Sequence, residues 1–247
     1  MNNDLVLELA YLYPKLLNIY GDRGNVLTLI YRCEARGISL NVTTIGVENT
    51  TGETIDYKKF DIYFIGGGQD QEQVQVSDDL EKKKKDLISA IENNVVFLAI
   101  CGGYQLLGKY YKTHDGSELK GIEALDLYTV AGKKRMIGNV LCRELESKQT
   151  IVGFENHSGK TYLGSSLKPL AKVLRGGGNN GEDSFEGVRY KNVFGTYLHG
   201  SFLPKNPHLA DKLIKLALEK KGLKMPDIKL TDKFEILAHK KAAKLKY

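Results

Sequence analysis

A cysteine stands directly after an apolar run in this chain and is followed by two glycines. The apolar run covers residues 95–100, and the segment after it, CGGYQ, covers residues 101–105. A buried strand that turns into a helix at this point presents Cys101 as a nucleophile above a sheet. The free amides and positive dipole end of such a helix favour the thiolate, the reactive form of cysteine. Gly102 and Gly103 lack a Cβ, so the turn can adopt strained angles and a substrate can approach closely.

One of the five histidines has a position that suits a proton acceptor for this cysteine. His199 follows the apolar run 193–198 and precedes Gly200. In a parallel α/β sheet the reactive groups gather at the carboxyl ends of the strands, and Cys101 and His199 both follow such ends. A cysteine that only packs in the core is the competing interpretation. The strand-to-helix turn at Cys101, here called the elbow, and the histidine at a strand end together favour acyl transfer by a thiolate. The histidine would carry the proton.

A run of three glycines is the third element of this pattern. Residues 66–68 follow an apolar run at 61–65 and precede the polar segment 69–73. Their amides are placed to stabilise an oxyanion together with the N–H group of Gly102. A phosphate-binding loop is the alternative, but the Lys-Ser/Thr of a Walker loop is missing and the pattern is not GxGxxG. A second glycine run, within residues 176–187, follows no clear buried strand and is interpreted as a surface loop.

The first half of the chain alternates strand-like and helix-like segments, which must position these residues. Strands are predicted at residues 5–9, 39–45, 61–65 and 95–100. Helices are predicted at residues 26–36, 79–93 and 104–111. This alternation predicts an α/β protein with a mostly parallel central sheet and helices on both faces.

The second half follows a different pattern. Residues 121–154 alternate short β-like runs with glycines, which predicts an added antiparallel β region. A hairpin at 187–198, a helix at 207–221 capped by Asn206, and a last basic helix follow. With no internal repeat and no linker, residues 1–247 are predicted to form a single domain.

Composition excludes several classes of protein. The chain has 247 residues and a net charge of +6, with lysines scattered rather than arranged in a basic stripe, which argues against nucleic-acid binding. Three widely spaced cysteines indicate neither a disulfide framework nor a CxxC metal pair. Cys33 and Cys142 are expected to be small buried hydrophobes. The N-terminus lacks a signal-peptide pattern and the apolar stretches are short, so a reducing cytoplasm is the expected compartment.

Several motifs together resemble the class I glutamine amidotransferases, which hydrolyse glutamine to glutamate and ammonia. They are GGG at 66–68, CGGYQ at 101–105 and TYLHG at 196–200. In standard members a glutamate stands two residues after the histidine. That position is Ser201 here, and the departure resembles the cobyric-acid-synthase branch, whose members work with a Cys–His pair. Residues 12–25 and 153–159 resemble the GatD family, the glutaminase subunits of lipid II isoglutaminyl synthases.

The resemblance implies a flavodoxin-like class I glutamine amidotransferase fold and assigns roles to particular residues. Cys101 and His199 are the implied catalytic pair. The amides of Gly68 and Gly102 are the implied oxyanion donors. Gln105, one helical turn after Cys101, is similar to the family residue that contacts bound glutamine.

Further roles follow from the needs of a glutamine substrate. Its α-carboxylate needs a cation, ideally a bidentate one. Arg135 is our choice, with the lysines at 133–134 as alternatives. A third residue that orients the histidine is not evident, and Glu155 is the candidate for it. Asp22 and Asn25 are interpreted as turn and helix-cap residues.

The GatD resemblance also implies a partner. That partner is a Mur-ligase-like, MurT-type synthase subunit, which activates the D-glutamate α-carboxylate of lipid II. ATP and Mg²⁺ are expected on the partner, with no cofactor and no metal in this chain, and the two chains are expected to form a 1:1 pair. A cobyrinate-type amidotransferase and a catalytically inactive scaffold are the alternatives. The missing N-terminal ATPase domain argues against a self-contained cobyric acid synthase, and retention of Cys101 and His199 argues against the scaffold.

Overall fold

Strands and helices alternate along the first half of the chain, and long antiparallel strands follow. The computed structural model describes residues 5–47 and 55–247. The strands are β1 (Leu5–Leu12), β2 (Ile38–Ile45), β3 (Ile62–Ile65), β4 (Val96–Ile100), β5 (Tyr110–Lys112), β6 (Glu118–Lys120), β7 (Leu127–Glu144), β8 (Thr150–Leu163), β9 (Ala171–Arg175), β10 (Phe185–Glu186), β11 (Val188–Tyr190) and β12 (Val193–Thr196). The helices are α1 (Arg23–Glu34), α2 (Asp70–Glu92), α3 (Gly102–Leu106), α4 (Pro207–Lys220) and α5 (Lys233–Ala242).

The central sheet is mostly parallel, as predicted. Its strand order is β11-β12-β4-β3-β1-β2, and only the pairing of β11 with β12 is antiparallel. Every residue of β3 and β4 is buried, as expected for apolar strands that are covered on both faces. The α/β fold class is therefore confirmed.

The order of the strands explains how distant segments meet. β3, β4 and β12 are neighbours in the sheet and run in the same direction. Ile65 is level with Ala99, and Ile100 is level with Thr196. The loops that follow these strands therefore emerge side by side at one edge of the sheet.

The antiparallel region is a long hairpin rather than the short meandering strands expected from residues 121–154. β7 spans 18 residues and β8 spans 14, and the two strands pair along most of their length. Strands β10, β9, β5 and β6 complete this second sheet around β7. Gly132 and Gly138 lie within β7 and Gly153 lies within β8, so these glycines do not separate short strands. The register shifts between Ala131 and Met136, which marks a bulge.

Two helix boundaries differ from the prediction. Helix α2 begins at Asp70, nine residues before the predicted start, because Gln73, Val76 and Leu80 continue its buried face at helical spacing. Helix α3 ends at Leu106, and Tyr111 lies in β5 instead. Pairing of β5 with β7 and burial of the Tyr111 ring outweigh the helical pattern.

The segment 176–187 is a surface loop only in part, because residues 181–184 are exposed and the rest is buried or half-buried. Asn179, Asn180 and Glu186 are buried within it. Glu186 accepts hydrogen bonds from the Thr196 hydroxyl and from the backbone N–H that follows it, so the segment supports the end of β12. Within the described ranges, no helix has the length and apolar character needed to cross a membrane.

Candidate active site

Cys101 occupies a strained turn between β4 and α3. Its backbone has φ 49° and ψ −107°, a conformation that costs a non-glycine residue on the order of 1–3 kcal/mol. Its N–H group donates to the Thr196 carbonyl at 2.8 Å, which ties the turn to β12. A Cβ on Gly103 would lie 2.8 Å from the Gly66 carbonyl oxygen, so the turn requires glycine there. Cys101 is thus held rigidly and remains 6 % exposed.

His199 is fixed by its backbone and by its ring. The backbone forms an antiparallel bridge to Phe154 of β8, with its N–H donating at 2.8 Å. Nδ1 lies 3.2 Å from a carboxylate oxygen of Asp22. The edge of the Tyr20 ring packs on the imidazole, with 5.1 Å between the ring centroids. These contacts leave Nε2 as the ring nitrogen available for proton transfer.

The Nε2 side of His199 is directed toward Cys101. Among the described residues, Nε2 is buried without a clear hydrogen-bond partner. A Cβ on Gly67 would lie 2.6 Å from His199 Cε1 and 3.2 Å from the Cys101 Cβ, so the two side chains flank this glycine. Burial alone would lower the pKa of His199, but the Cys101 sulfur and the Asp22 carboxylate outweigh it and raise the pKa.

Asp22 occupies the N-cap position of α1, as interpreted from the sequence, but its side chain contacts His199 rather than the helix. Its side chain makes no cap hydrogen bond to α1. It is fully buried, and its second carboxylate oxygen accepts the Gly67 N–H at 2.8 Å. Asn25 likewise caps nothing and accepts the Leu203 N–H instead. The sequence signal for Asp22 is its place after β1, which is a neighbour of β3 in the sheet. Nine residues lie between the end of β1 and Asp22.

Glu155 lies in another hydrogen-bonding network. Its carboxylate accepts the N–H groups of Gly177 and Gly178, at 2.7 and 2.9 Å. One of its oxygens lies 3.8 Å from Nε2 of His157. The Glu155 carboxylate therefore binds amides near the start of the segment 176–187, and Asp22 occupies the position beside His199. We correct the assignment of Glu155 as the orienting residue.

The backbone amides near Cys101 divide into engaged and free groups. The Gly67 amide is engaged by Asp22. The hydrogen bonds of the described residues leave the amides of Gly68 and Gly102 without an acceptor. Gly102 is the first residue of α3, where N–H groups have no partner within the helix. The N–H groups of both predicted oxyanion donors are therefore not used by the described residues.

A cavity of about 670 Å³ opens above Cys101. Gly68, Gln105 and Arg135 line it, so these sequence-predicted residues are brought together. Asp70 at the start of α2 also lines the cavity, although its sequence pattern gave no indication of a role in the site. Burial and the neighbouring Asp70 raise the pKa of Tyr111, another wall residue, to about 12. The cavity thus carries one cationic and one anionic side chain.

Arg135 and Gln105 reach the cavity from different elements. Arg135 lies in the β7 bulge, which takes it out of the β7–β8 ladder, and its Nε donates to the Asn156 Oδ1 at 2.6 Å. Gln105 is buried, and its Nε2 donates to the Tyr197 hydroxyl at 2.9 Å. Across the described residues, no group of three or more His, Cys, Asp or Glu side chains is arranged to hold a metal ion.

A known protein family matches most of the chain. Residues 8–207 match the CobB/CobQ-like glutamine amidotransferase domain. The chain belongs to the CobB/CobQ-like glutamine amidotransferase family.

Two curated relatives have close to half of their aligned residues identical to this chain. Both are named lipid II isoglutaminyl synthase (glutamine-hydrolyzing) subunit GatD. The Streptococcus pneumoniae protein is 44 % identical over 216 residues, which cover 87 % of this chain and 82 % of the relative. The Staphylococcus aureus protein is 45 % identical over 232 residues, which cover 94 % and 93 %.

A solved structure supports the fold independently of close sequence similarity. It is a glutamine amidotransferase from Thermotoga maritima, with a TM-score of 0.55 and 15 % sequence identity. The superposition covers 96 % of this chain and 93 % of the other. At this level of identity the similarity shows the fold alone.

Proposed function

We propose that the chain is a glutaminase subunit that hydrolyses L-glutamine to glutamate and ammonia and supplies the ammonia to a synthase. The observation that carries the proposal is the buried Cys101–His199–Asp22 arrangement, which opens into a cavity beside two free backbone amides. Membership of a glutamine amidotransferase family and the GatD relatives support it.

The charges in the cavity suit a free amino acid. Glutamine is a zwitterion, so its α-carboxylate needs a cation and its α-ammonium group needs an anion. Arg135 and Asp70 both line the cavity and supply one charge each. We assign the α-carboxylate to Arg135 and the α-ammonium group to Asp70.

The reaction follows from the positions of the side chains. The Cys101 thiolate attacks the side-chain amide carbon, and the amides of Gly68 and Gly102 donate to the oxyanion that forms. His199 gives its proton to the leaving nitrogen, and ammonia departs as the thioester forms. His199 then takes a proton from water, whose oxygen attacks the thioester and releases glutamate. Asp22 holds the imidazole in one tautomer throughout.

Ammonia is mostly protonated and poorly nucleophilic in neutral water. A glutaminase of this kind therefore has to lie beside the enzyme that uses the ammonia, so that the ammonia is transferred before it is protonated. The relatives carry the names of subunits of a lipid II isoglutaminyl synthase. We propose a Mur-ligase-like partner that binds ATP and Mg²⁺ and amidates the D-glutamate α-carboxylate of lipid II. The face that holds the strand ends, with Cys101 and His199, is proposed to lie at or beside the contact.

Reconstitution tests the glutaminase activity and the partner separately. Glutamate release by the full chain is measured first, with Cys101→Ala as the inactive control. Co-expression with a Mur-ligase-like subunit then tests for a stable complex. With ATP, glutamine and lipid II, the product is expected to lose about one dalton, because an OH group becomes NH₂. If glutamate is released but neither a complex nor lipid II amidation is found, the proposed partner is rejected and the proposed glutaminase activity stands.

A further inference from the structure

A buried glutamine lies beside the nucleophile and has no place in the mechanism above. Gln73 stands in the first turn of α2, directly after the 66–68 turn, and is only 2 % exposed. It lines the same cavity as Cys101. Most glutamines at helix surfaces are solvated, so a glutamine that is buried at a reaction centre calls for a partner.

The orientation of the Gln73 amide is determined by one contact. Its Nε2 donates to the Gly68 carbonyl oxygen at 3.2 Å. A carbonyl oxygen only accepts, so this contact identifies which end of the amide is the nitrogen. The other end, Oε1, is buried and has no hydrogen-bond partner among the described residues.

The same amide touches the elbow. A Cβ on Gly102 would lie 2.9 Å from both Cδ and Nε2 of Gln73. Gln73 therefore contacts both Gly68 and the turn at Gly102, the two glycines whose amides are the proposed oxyanion donors. Its Oε1 is thus a buried acceptor without a partner, on a side chain that lines the cavity.

A buried acceptor without a donor is costly, and a ligand that brings an N–H group removes the cost. The carboxamide of glutamine carries two N–H donors, whereas the ionised carboxylate of glutamate carries none. We propose that Oε1 of Gln73 accepts a hydrogen bond from the carboxamide N–H of the substrate. Gln73 is then the residue that selects an amide and disfavours the carboxylate product. This inference rests on the proposed glutaminase function.

Comparison of two substrates separates this role from a structural one. L-Glutamine and the γ-methyl ester of L-glutamate form the same thioester, but only glutamine offers an N–H group to Oε1. Gln73→Met in the full chain is expected to lower kcat/KM for glutamine about tenfold more than for the ester, the effect of one lost hydrogen bond to a buried donor. Inhibition by glutamate is expected to strengthen in the same variant. Gln75→Met, an exposed neighbour on α2, is the matched control.

A second variant tests the hydrogen bond between the Gln73 side chain and the Gly68 carbonyl. Gln73→Glu keeps an acceptor but loses the donor to the Gly68 carbonyl, so both substrates are expected to slow while the preference for glutamine remains. Equal losses for both substrates in Gln73→Met, or loss of the preference in Gln73→Glu, would overturn the role of Oε1. Failure of the wild-type chain to hydrolyse glutamine would overturn the glutaminase proposal as well.

Discussion

Replacement of Asp22 by asparagine is the sharpest test of the site, because it changes charge at nearly constant size. The two carboxylate oxygens accept from different groups, Nδ1 of His199 and the N–H of Gly67. An asparagine has only one acceptor, so its NH₂ group must face one of these positions. If the NH₂ group faces Gly67, it meets the Gly67 N–H, which is also a donor. If the NH₂ group faces His199, Nδ1 must be unprotonated. The proton of a neutral imidazole is then on Nε2, which can no longer accept a proton.

The expected loss comes from the hydrogen bonds that Asp22 makes. A hydrogen bond to a charged group contributes about 1.5–3 kcal/mol, which corresponds to roughly 10- to 150-fold in rate. The 3.2 Å separation from His199 is at the long end for such a bond, so we expect a loss of about 30-fold. Because Asp22 does not line the cavity, the loss is expected in kcat rather than in KM.

Steady-state glutamate release measures kcat and KM for Asp22→Asn, and thermal unfolding reports whether the chain still folds. Asp78→Asn, an exposed carboxylate on α2, is the matched control and is expected to behave as wild type. Alkylation of Cys101 by iodoacetamide provides a readout that does not depend on substrate. A folded Asp22→Asn chain with kcat within threefold of wild type would refute the orienting role.

Other predictions address the remaining parts of the site. Cys101→Ala is expected to abolish glutamate release but keep ammonia-dependent synthesis by the complex, which exogenous ammonium tests; full glutaminase activity would exclude this nucleophile. His199→Ala is expected to lose about 10²- to 10⁴-fold in kcat, and a loss below tenfold would transfer the role to another histidine, with His157 tested first. Arg135→Ala is expected to raise KM for glutamine roughly 10- to 150-fold at similar kcat, and an unchanged KM would remove Arg135 from the site. The pKa of His199 is raised in the folded chain, so protonated His199 stabilises the fold. This contribution is complete below pH 6.5, the ordinary pKa of the group, and is lost as the pH rises through the raised pKa. The difference in Tm between wild type and His199→Ala should therefore shrink toward alkaline pH, and a constant difference would contradict the shift.

The sequence by itself determined the central architecture and the place of Cys101 at the end of a buried strand. Apolar runs of strand length, each followed by a glycine-rich turn or a reactive side chain, are a local property, so the ends of β3, β4 and β12 could be located in advance. The positions of Cys101, His199 and the 66–68 turn followed from this pattern, and the structure brings them together. Burial of Cys33 and Cys142 was predicted on the same local grounds.

Only the tertiary structure decided which polar residue meets which. Asp22 and His199 are 177 positions apart in the chain, and a carboxylate in a turn has the same local pattern whether it caps a helix or orients an imidazole. Glu155 was misassigned because its partners, Gly177 and Gly178, belong to a loop whose burial depends on the second sheet. Gln73 and Asp70 were overlooked because a polar helix start looks like a solvated segment until the neighbouring strands place it beside Cys101. Local patterns fix strands and turns, whereas the distance between side chains far apart in sequence depends on the packing of the whole sheet.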